Sequence, residues 1–265
     1  MFNPQGYKAE CNGNDFIIIM KDYYLETFNN ETIKKLCDKD RGIGADGLLL
    51  IDFDVDHYDF KMDYYNNDGS WETLCVNALR CIGLLIYKKL GEDIISVHCG
   101  DGIHEVETIS NNCIKVSMEI PTYKTDKITL YGLSGYYIFS GAKHFVIEYK
   151  KSWPNTKKIE EIAKKIRYNK IFVNGINVNF YKIVDKNTIE VKTYEKGIEK
   201  MMSSCASGSF ACAFHVFQKN KINNNFIIMN EGGNSSIIFE DTRHLFIGNA
   251  EIEYSKMIDF NQFLN

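Results

Sequence analysis

Two cysteines stand at the starts of two apolar helical patterns. From Cys75 onward, Ala78, Leu79, Ile82, Leu85 and Ile86 form an apolar stripe closed by Lys88, Lys89 and Gly91. From Cys205 onward, Phe210, Ala213, Phe214 and Phe217 repeat the pattern up to Lys219. A helix N-terminus offers unpaired N–H groups and about half a positive charge, which lowers a thiol's pKa and attracts a carboxylate. Both effects suit an amino-acid substrate. A thiolate on one side of an α-carbon can take its proton while a thiol on the other side delivers one, and the configuration inverts. Because an α-proton is weakly acidic, negative charge flowing into the α-carboxylate must be stabilised, a task for backbone amides at the helix starts.

The segments around the two cysteines, NNDGSWETLCVNALRCIGLL and YEKGIEKMMSSCASGSFACAF, share a plan. Each reads as a polar turn, a small-hydroxyl lead-in, a cysteine, a small-residue turn and a buried helix, which suggests an internal duplication. Elsewhere strands dominate. Ile114, Val116, Met118 and Ile120 alternate with polar residues, and Ile189, Val191 and Thr193 do so later. Amphipathic helices are expected over residues 31–38 and, after Asn155 and Thr156 as caps, along Ile159, Ile162, Ala163 and Ile166. With only three prolines and no low-complexity linker, any domain boundary is a tight one, best placed near Pro121.

Composition removes several function classes. Thirty-one Lys plus Arg against thirty-five Asp plus Glu leave a net charge of −4, with no basic footprint for nucleic acid, and 45% hydrophobic residues exclude a disordered chain. No secretory leader or membrane-length apolar run is present, so a cytoplasmic protein with reduced thiols is expected, without membrane or nucleic-acid partners. No Cys-x-x-Cys pair or Cys/His cluster has zinc-ligand spacing, and no metal is expected. RGIGADG (41–47) lacks the dinucleotide-loop spacing and the P-loop lysine, so nothing argues for pyridoxal phosphate or any other cofactor. Cys37, Cys81, Cys99, Cys113 and Cys212 read as small core residues. His57, among Asp54, Asp56 and Asp59, reads as a solvated loop.

Longer stretches carry a specific likeness. GNDFIII (13–19), RGIGADGLLL (41–50), YYNNDGSWETLC (64–75), NALRC (77–81), KHFV (143–146), NGINVNF (174–180), TYEKGIE (193–199), CASG (205–208) and GNAEIEY (248–254) together resemble the diaminopimelate epimerases, in order and spacing, from end to end. The resemblance implies a cofactor-independent isomerase that converts LL-diaminopimelate to the meso form, an α+β fold of two pseudo-symmetric halves, each a curved sheet around a central helix, and a homodimer. The halves would be residues 1–118 with 250–265, carrying Cys75, and 119–249, carrying Cys205; a final strand would run from Ala250 to Asp259. Cys75 and Cys205 match the catalytic pair, Glu195 a glutamate near the reacting centre and His144 a histidine that tunes the thiols. Asn14, Asn66 and Asn177, with Asn77 and Ser207 at the two helix starts, match substrate-binding positions.

The departures from the family pattern bear on substrate. Val76 and Ala206 replace glycines beside the carboxylate-holding turns, where a strained turn would cost about 1–3 kcal/mol. Lys196 replaces an arginine for the distal carboxylate and loses its bidentate fork. Gly47 and Ala142 stand where many relatives carry substrate-contacting side chains, and Met201 and Met202 replace a polar pair. A racemase of another amino acid (histidine, lanthionine or a basic one) and a silent amino-acid-binding homologue therefore stand beside the epimerase reading.

Overall fold

Strand-forming runs outnumber helical ones, and the computed structural model, which describes residues 6–21, 28–53, 59–220 and 224–253, contains nineteen β-strands and four α-helices within them. Contacts divide the chain into two units. The first runs to Ser117 and takes the chain up again from Ile247; the second is Met118–Phe246.

In the first unit, β1 (Tyr7–Cys11) and β2 (Asn14–Met20) form an antiparallel hairpin. Helix α1 (Asn30–Cys37) crosses to β3 (Gly47–Phe53), parallel to β2, and β4 (Phe60–Asn66) returns antiparallel. After the short β5 (Trp71–Glu72), helix α2 (Val76–Leu90) crosses to β6 (Ile94–Cys99), parallel to β4. Strands β7 (Gly102–Thr108) and β8 (Cys113–Met118) follow antiparallel.

The second unit repeats that order. Strands β9 (Thr122–Tyr123) and β10 (Ile128–Leu130) flank β11 (Leu133–Phe139), which pairs antiparallel with β12 (Lys143–Glu148). Helix α3 (Thr156–Arg167) crosses to β13 (Asn177–Ile183), parallel to β12, and β14 (Thr188–Glu195) returns antiparallel. After β15 (Lys200–Met202), helix α4 (Ala206–Asn220) crosses to β16 (Asn225–Asn230), parallel to β14, and β17 (Gly233–Phe239) pairs with β16. The chain then runs through β18 (His244–Asn249) to β19 (Glu251–Glu253), which adds to the edge of β1 in the first unit. Hairpin, helical crossover, hairpin, helical crossover, hairpin thus occurs twice, the duplication suggested by the two cysteine segments.

The helices fall into two kinds. Helix α1 buries only Ile33, Leu36 and Cys37, and α3 only Ile159, Ala163 and Ile166; asparagine caps start both, Asn29 accepting from the Thr32 N–H and Asn155 from the Lys158 N–H. Helix α2 is buried all round from Val76 to Ile86 and packs against β1, β6, β7 and β19, ending at Gly91, whose φ of 80° suits the left-handed cap. Helix α4 holds the same place against β12, β13, β14 and β16. Cys75 and Cys205 therefore precede the two helices that the surrounding strands enclose.

Some expectations need correction. Strand β8 stops at Met118, and Ile120 is 47% exposed outside any strand, because Pro121 next to it has no N–H for a ladder. Cys113 is only half-buried, since Ile114, Val116 and Met118 take the core-facing parity of β8. Residues 254–259 of the expected final strand, and Asp54, Asp56 and His57, lie outside the described residues. No helix among the described residues is long and apolar enough to cross a membrane.

Candidate functional site

In the first unit, strand order gathers the polar residues at one sheet edge. Gly47 at the start of β3 pairs with Asn66 at the end of β4, and Asn14 starts β2, the parallel neighbour of β3. A chain of hydrogen bonds links Asn14 to the start of α2. The Asn14 amide nitrogen donates to Asp46 Oδ2 (3.2 Å), the Asn77 amide to Asn14 Oδ1 (3.2 Å), and the Arg80 guanidinium to Asn77 Oδ1 (2.5 Å). With an acceptor-only carboxylate at one end and a donor-only guanidinium at the other, the orientation of both amides is fixed. Lys39 and Lys8 hold the acidic end: Lys39 Nζ reaches Asp46 Oδ1 at 2.8 Å and Lys8 Nζ reaches Asp15 Oδ2 at 2.5 Å. Burial alone would raise the Asp15 carboxyl, but the hydrogen bond and charge of Lys8 leave its pKa lowered.

Cys75 caps α2 with its backbone, its carbonyl accepting from the Leu79 N–H at 3.0 Å, while its side chain makes no capping bond. Asn66 is buried, its carbonyl accepting from the Tyr64 hydroxyl (2.7 Å) and its amide donating to Ser70 Oγ (3.1 Å). Its side chain holds the turn between β4 and β5.

In the second unit the corresponding edge carries His144 on β12, Asn177 at the start of β13 and Glu195 at the end of β14. Asn177 Oδ1 accepts from the Lys196 N–H at 2.8 Å and so fixes the turn bearing Glu195 and Lys196. A second chain of hydrogen bonds ends on sulfur. Thr193 Oγ1 donates to Asn179 Oδ1 (2.9 Å), Asn179 Nδ2 to His144 Nδ1 (3.0 Å), His144 Nε2 to Ser207 Oγ (3.1 Å), and Ser207 Oγ lies 3.7 Å from Cys205 Sγ. Since the amide donates to Nδ1, the ring proton sits on Nε2, and the serine hydroxyl is left to point its own proton at the sulfur.

Burial, then the charge of Glu195, pushes the Cys205 thiol up to about 12, against the opposing pull of the Gly208 N–H and the Ser207 hydroxyl. At Cys205 this reverses the expected lowering: desolvation and a carboxylate outweigh the donors at the helix start. Cys205 is therefore protonated at neutral pH. His144, fully buried, is pushed down to about 3 and stays neutral, so it acts on Cys205 through Ser207 rather than by carrying charge.

A pH prediction follows from His144. Its folded pKa lies below the 6.5 of a free histidine, so between about pH 6.5 and 3 the unfolded chain binds a proton that the folded chain does not. The stabilisation is present above pH 6.5 and falls with pH, at up to about 1.4 kcal/mol per unit for one proton. Urea titrations of the His144→Gln variant are expected to lack that one-proton slope between pH 6 and 4. An unchanged slope would assign the titration elsewhere.

Comparison with known proteins shows the family and the fold. A model of the family described as diaminopimelate epimerase matches residues 6–124 and 137–253. The diaminopimelate epimerase of Flavobacterium psychrophilum is 34% identical over 249 residues, 91% of this chain and 92% of that one. That of Clostridium perfringens is 30% identical over 266 residues, 92% and 95% of the two chains. The chain belongs to the diaminopimelate epimerase family. Among solved structures, a hydroxyproline epimerase from Agrobacterium vitis superposes with a TM-score of 0.75 at 10% identity, over 94% of this chain and 88% of that one. A probable proline racemase from Agrobacterium radiobacter gives 0.71 at 11%, over 97% and 94%. The fold is the two-part α+β architecture shared by these racemases and epimerases.

Within the diaminopimelate epimerase family the departures of this chain look different once placed. Val76 and Ala206 are the first residues of α2 and α4, and the non-glycine residues with positive φ among those described are Asn12, Tyr131, Asn174 and Glu199. The expected strain at the lost glycines is absent, because a helical first residue needs no left-handed backbone. Gly47 is different: a Cβ there would stand 2.6 Å from the Tyr64 ring and 2.7 Å from the Tyr65 carbonyl oxygen. The Tyr64 ring fills the place a side chain at 47 would take, and its hydroxyl holds Asn66. Asp46, Tyr64, Arg80, Asn179 and Thr193 were not singled out from sequence, although Asn177 and Asn179 share one strand parity and Arg80 interrupts an apolar stripe, both readable signals.

Proposed function

We propose that the protein inverts an amino-acid α-carbon by thiol chemistry, epimerising LL-diaminopimelate to the meso form in the cytoplasm as a homodimer that needs no pyridoxal phosphate. The observation that carries the reading is the repeated placement of a cysteine before the more deeply buried of the two helices described in each unit, next to an edge lined by oriented amides. The substrate follows from the family, whose relatives are named for it.

Cys205, protonated at rest, is the acid, which leaves Cys75 as the base in that direction of turnover; the roles exchange in reverse. Ser207, positioned by His144, donates to the Cys205 sulfur and stabilises its thiolate once the proton has left. The leading N–H groups of α2 and α4, at Val76, Asn77, Ala206 and Ser207, take up charge developing on the α-carboxylate. Asn14 and Asn77, pre-oriented by Asp46 and Arg80, and Asn177 hold substrate polar groups, and the Lys196 ammonium receives the distal carboxylate.

Proton NMR in D2O tests this with reduced protein, LL-diaminopimelate and a panel of L-amino acids, with the Cys75→Ser variant as blank. Loss of the α-proton signal with diaminopimelate, absent from the blank, is expected. Exchange confined to another amino acid would replace the substrate, and no exchange with any would sink the enzymatic reading.

A further inference from the structure

The turn between β6 and β7 brings together three side chains that the reaction does not use. Cys99, Asp101 and His104 each offer one ligating atom, and these atoms lie within 4.8 Å of one another. Cys99 and His104 are 4% and 1% exposed. The spacing Cys-x-Asp-x-x-His escapes the usual cysteine and histidine patterns because the hairpin, rather than a Cys-x-x-Cys knuckle, makes the ligands converge.

His104 shows what the cluster is built for. Its Nδ1 lies 2.8 Å from the Ser117 carbonyl oxygen and its Nε2 lies 3.1 Å from Asp101 Oδ1. A carbonyl oxygen only accepts, so Nδ1 carries the hydrogen, and in the neutral ring Nε2 then aims a lone pair at a carboxylate oxygen. A hydrogen or a cation must lie between them: a second ring proton, a proton on the carboxyl, or an ion that both ligate. An Nδ1–H held by a backbone carbonyl, with Nε2 turned toward the other ligands, is the arrangement that orients metal-binding histidines. The Nε2 to Oδ1 separation of 3.1 Å is also close to the roughly 3.3 Å edge of a tetrahedron with metal–ligand bonds of about 2.0 Å.

We propose that this hairpin is a zinc site, with Cys99 Sγ, Asp101 Oδ1 and His104 Nε2 as ligands and water in the fourth position. One thiolate, one imidazole and one carboxylate suit zinc, whereas calcium and magnesium take oxygen ligands. On binding, the Cys99 thiol proton and any proton on Nε2 are released to solvent as the Zn–S, Zn–N and Zn–O bonds replace water ligands of the ion, with no change of oxidation state.

Cobalt(II) serves as the spectroscopic probe on the reduced full-length protein, stripped first with a chelator. One equivalent is expected to bind with a sulfur-to-cobalt charge-transfer band that zinc abolishes, unchanged in the Cys75→Ser/Cys205→Ser double variant. Binding is expected to weaken about tenfold or more in Asp101→Asn, and the band to vanish in Cys99→Ala. Trp71, whose ring lies against Gly100 in the same turn, gives a second readout through cobalt quenching of its fluorescence, which Asp101→Asn is expected to relieve even if Cys99→Ala fails to fold. No saturable binding, or a band that survives in Cys99→Ala and disappears in the double serine variant, would overturn the site and leave a proton between His104 and Asp101.

Discussion

A methyl group at position 208 is expected to cut α-proton exchange about a hundredfold while the first unit stays folded. Gly208 lies in the first turn of α4, where a built Cβ overlaps Asn179 Oδ1 and stands 3.1 Å from Asn179 Cγ and 3.3 Å from Cys205 Sγ. Asn179 cannot simply turn away, because it is fully buried between Thr193 and His144, both hydrogen-bonded to it. To clear the methyl the amide must retract by about an ångström, which breaks its bond to His144 and lets Ser207 drift from the sulfur; misplacement on that scale costs about a hundredfold in rate. The sign of the stability change discriminates. In an open helix, Gly→Ala stabilises by about 1 kcal/mol, whereas overpacking costs about 1–3 kcal/mol. Thermal melts and D2O exchange of the Gly208→Ala variant therefore decide together: lower stability with crippled exchange supports the hydrogen-bond chain onto Cys205, and a more stable, fully active variant removes it.

That chain also shows where sequence reading runs out. Helix boundaries were legible because caps and apolar spacing are local: Asn155, Gly91 and the stripe after Cys75 each act within one or two turns. The duplication was legible too, through the two cysteine segments, and the pairing order repeats it strand for strand. The state of Cys205 was not, because the dipole at a helix start is local while its opponents come from the end of β14 and from the packing around α4. Asn66 and Glu195 make the same point. Each ends the hairpin strand before its cysteine in the repeated order, yet one is an amide with both ends engaged and the other a carboxylate that adds to burial in raising the thiol pKa of its cysteine. Equivalent positions in a duplicated fold need not share chemistry.

Arg80→Met is expected to destabilise the protein by about 3–5 kcal/mol. Arg80 is fully buried in α2, and its guanidinium donates to Asn77 Oδ1 (2.5 Å), Asn12 Oδ1 (3.0 Å) and the Asn249 carbonyl oxygen (3.2 Å). Methionine fills much of the volume but donates nothing, so the buried Asn77 loses its donor at about 1–3 kcal/mol and the half-buried Asn12 loses less, while the exposed Asn249 keeps the Cys11 thiol, 2.9 Å away, and water. Removing a buried charge recovers some desolvation cost, but a swap approaches neutrality only when its partners are replaced with it, and three amide oxygens remain here. Against a typical total of about 5–15 kcal/mol, such a loss moves the urea midpoint far enough to measure without ambiguity. A variant within about 1 kcal/mol of the native protein would show that the apolar stem, not the guanidinium, is what α2 needs. Arg80 also bonds α2, one turn past Cys75, to the chain as it returns to the first unit at Asn249 beside β19. Hydrogen exchange in Arg80→Met is accordingly expected to rise first in β1 and β19, ahead of β3 and β4, because those two strands flank the broken clasp.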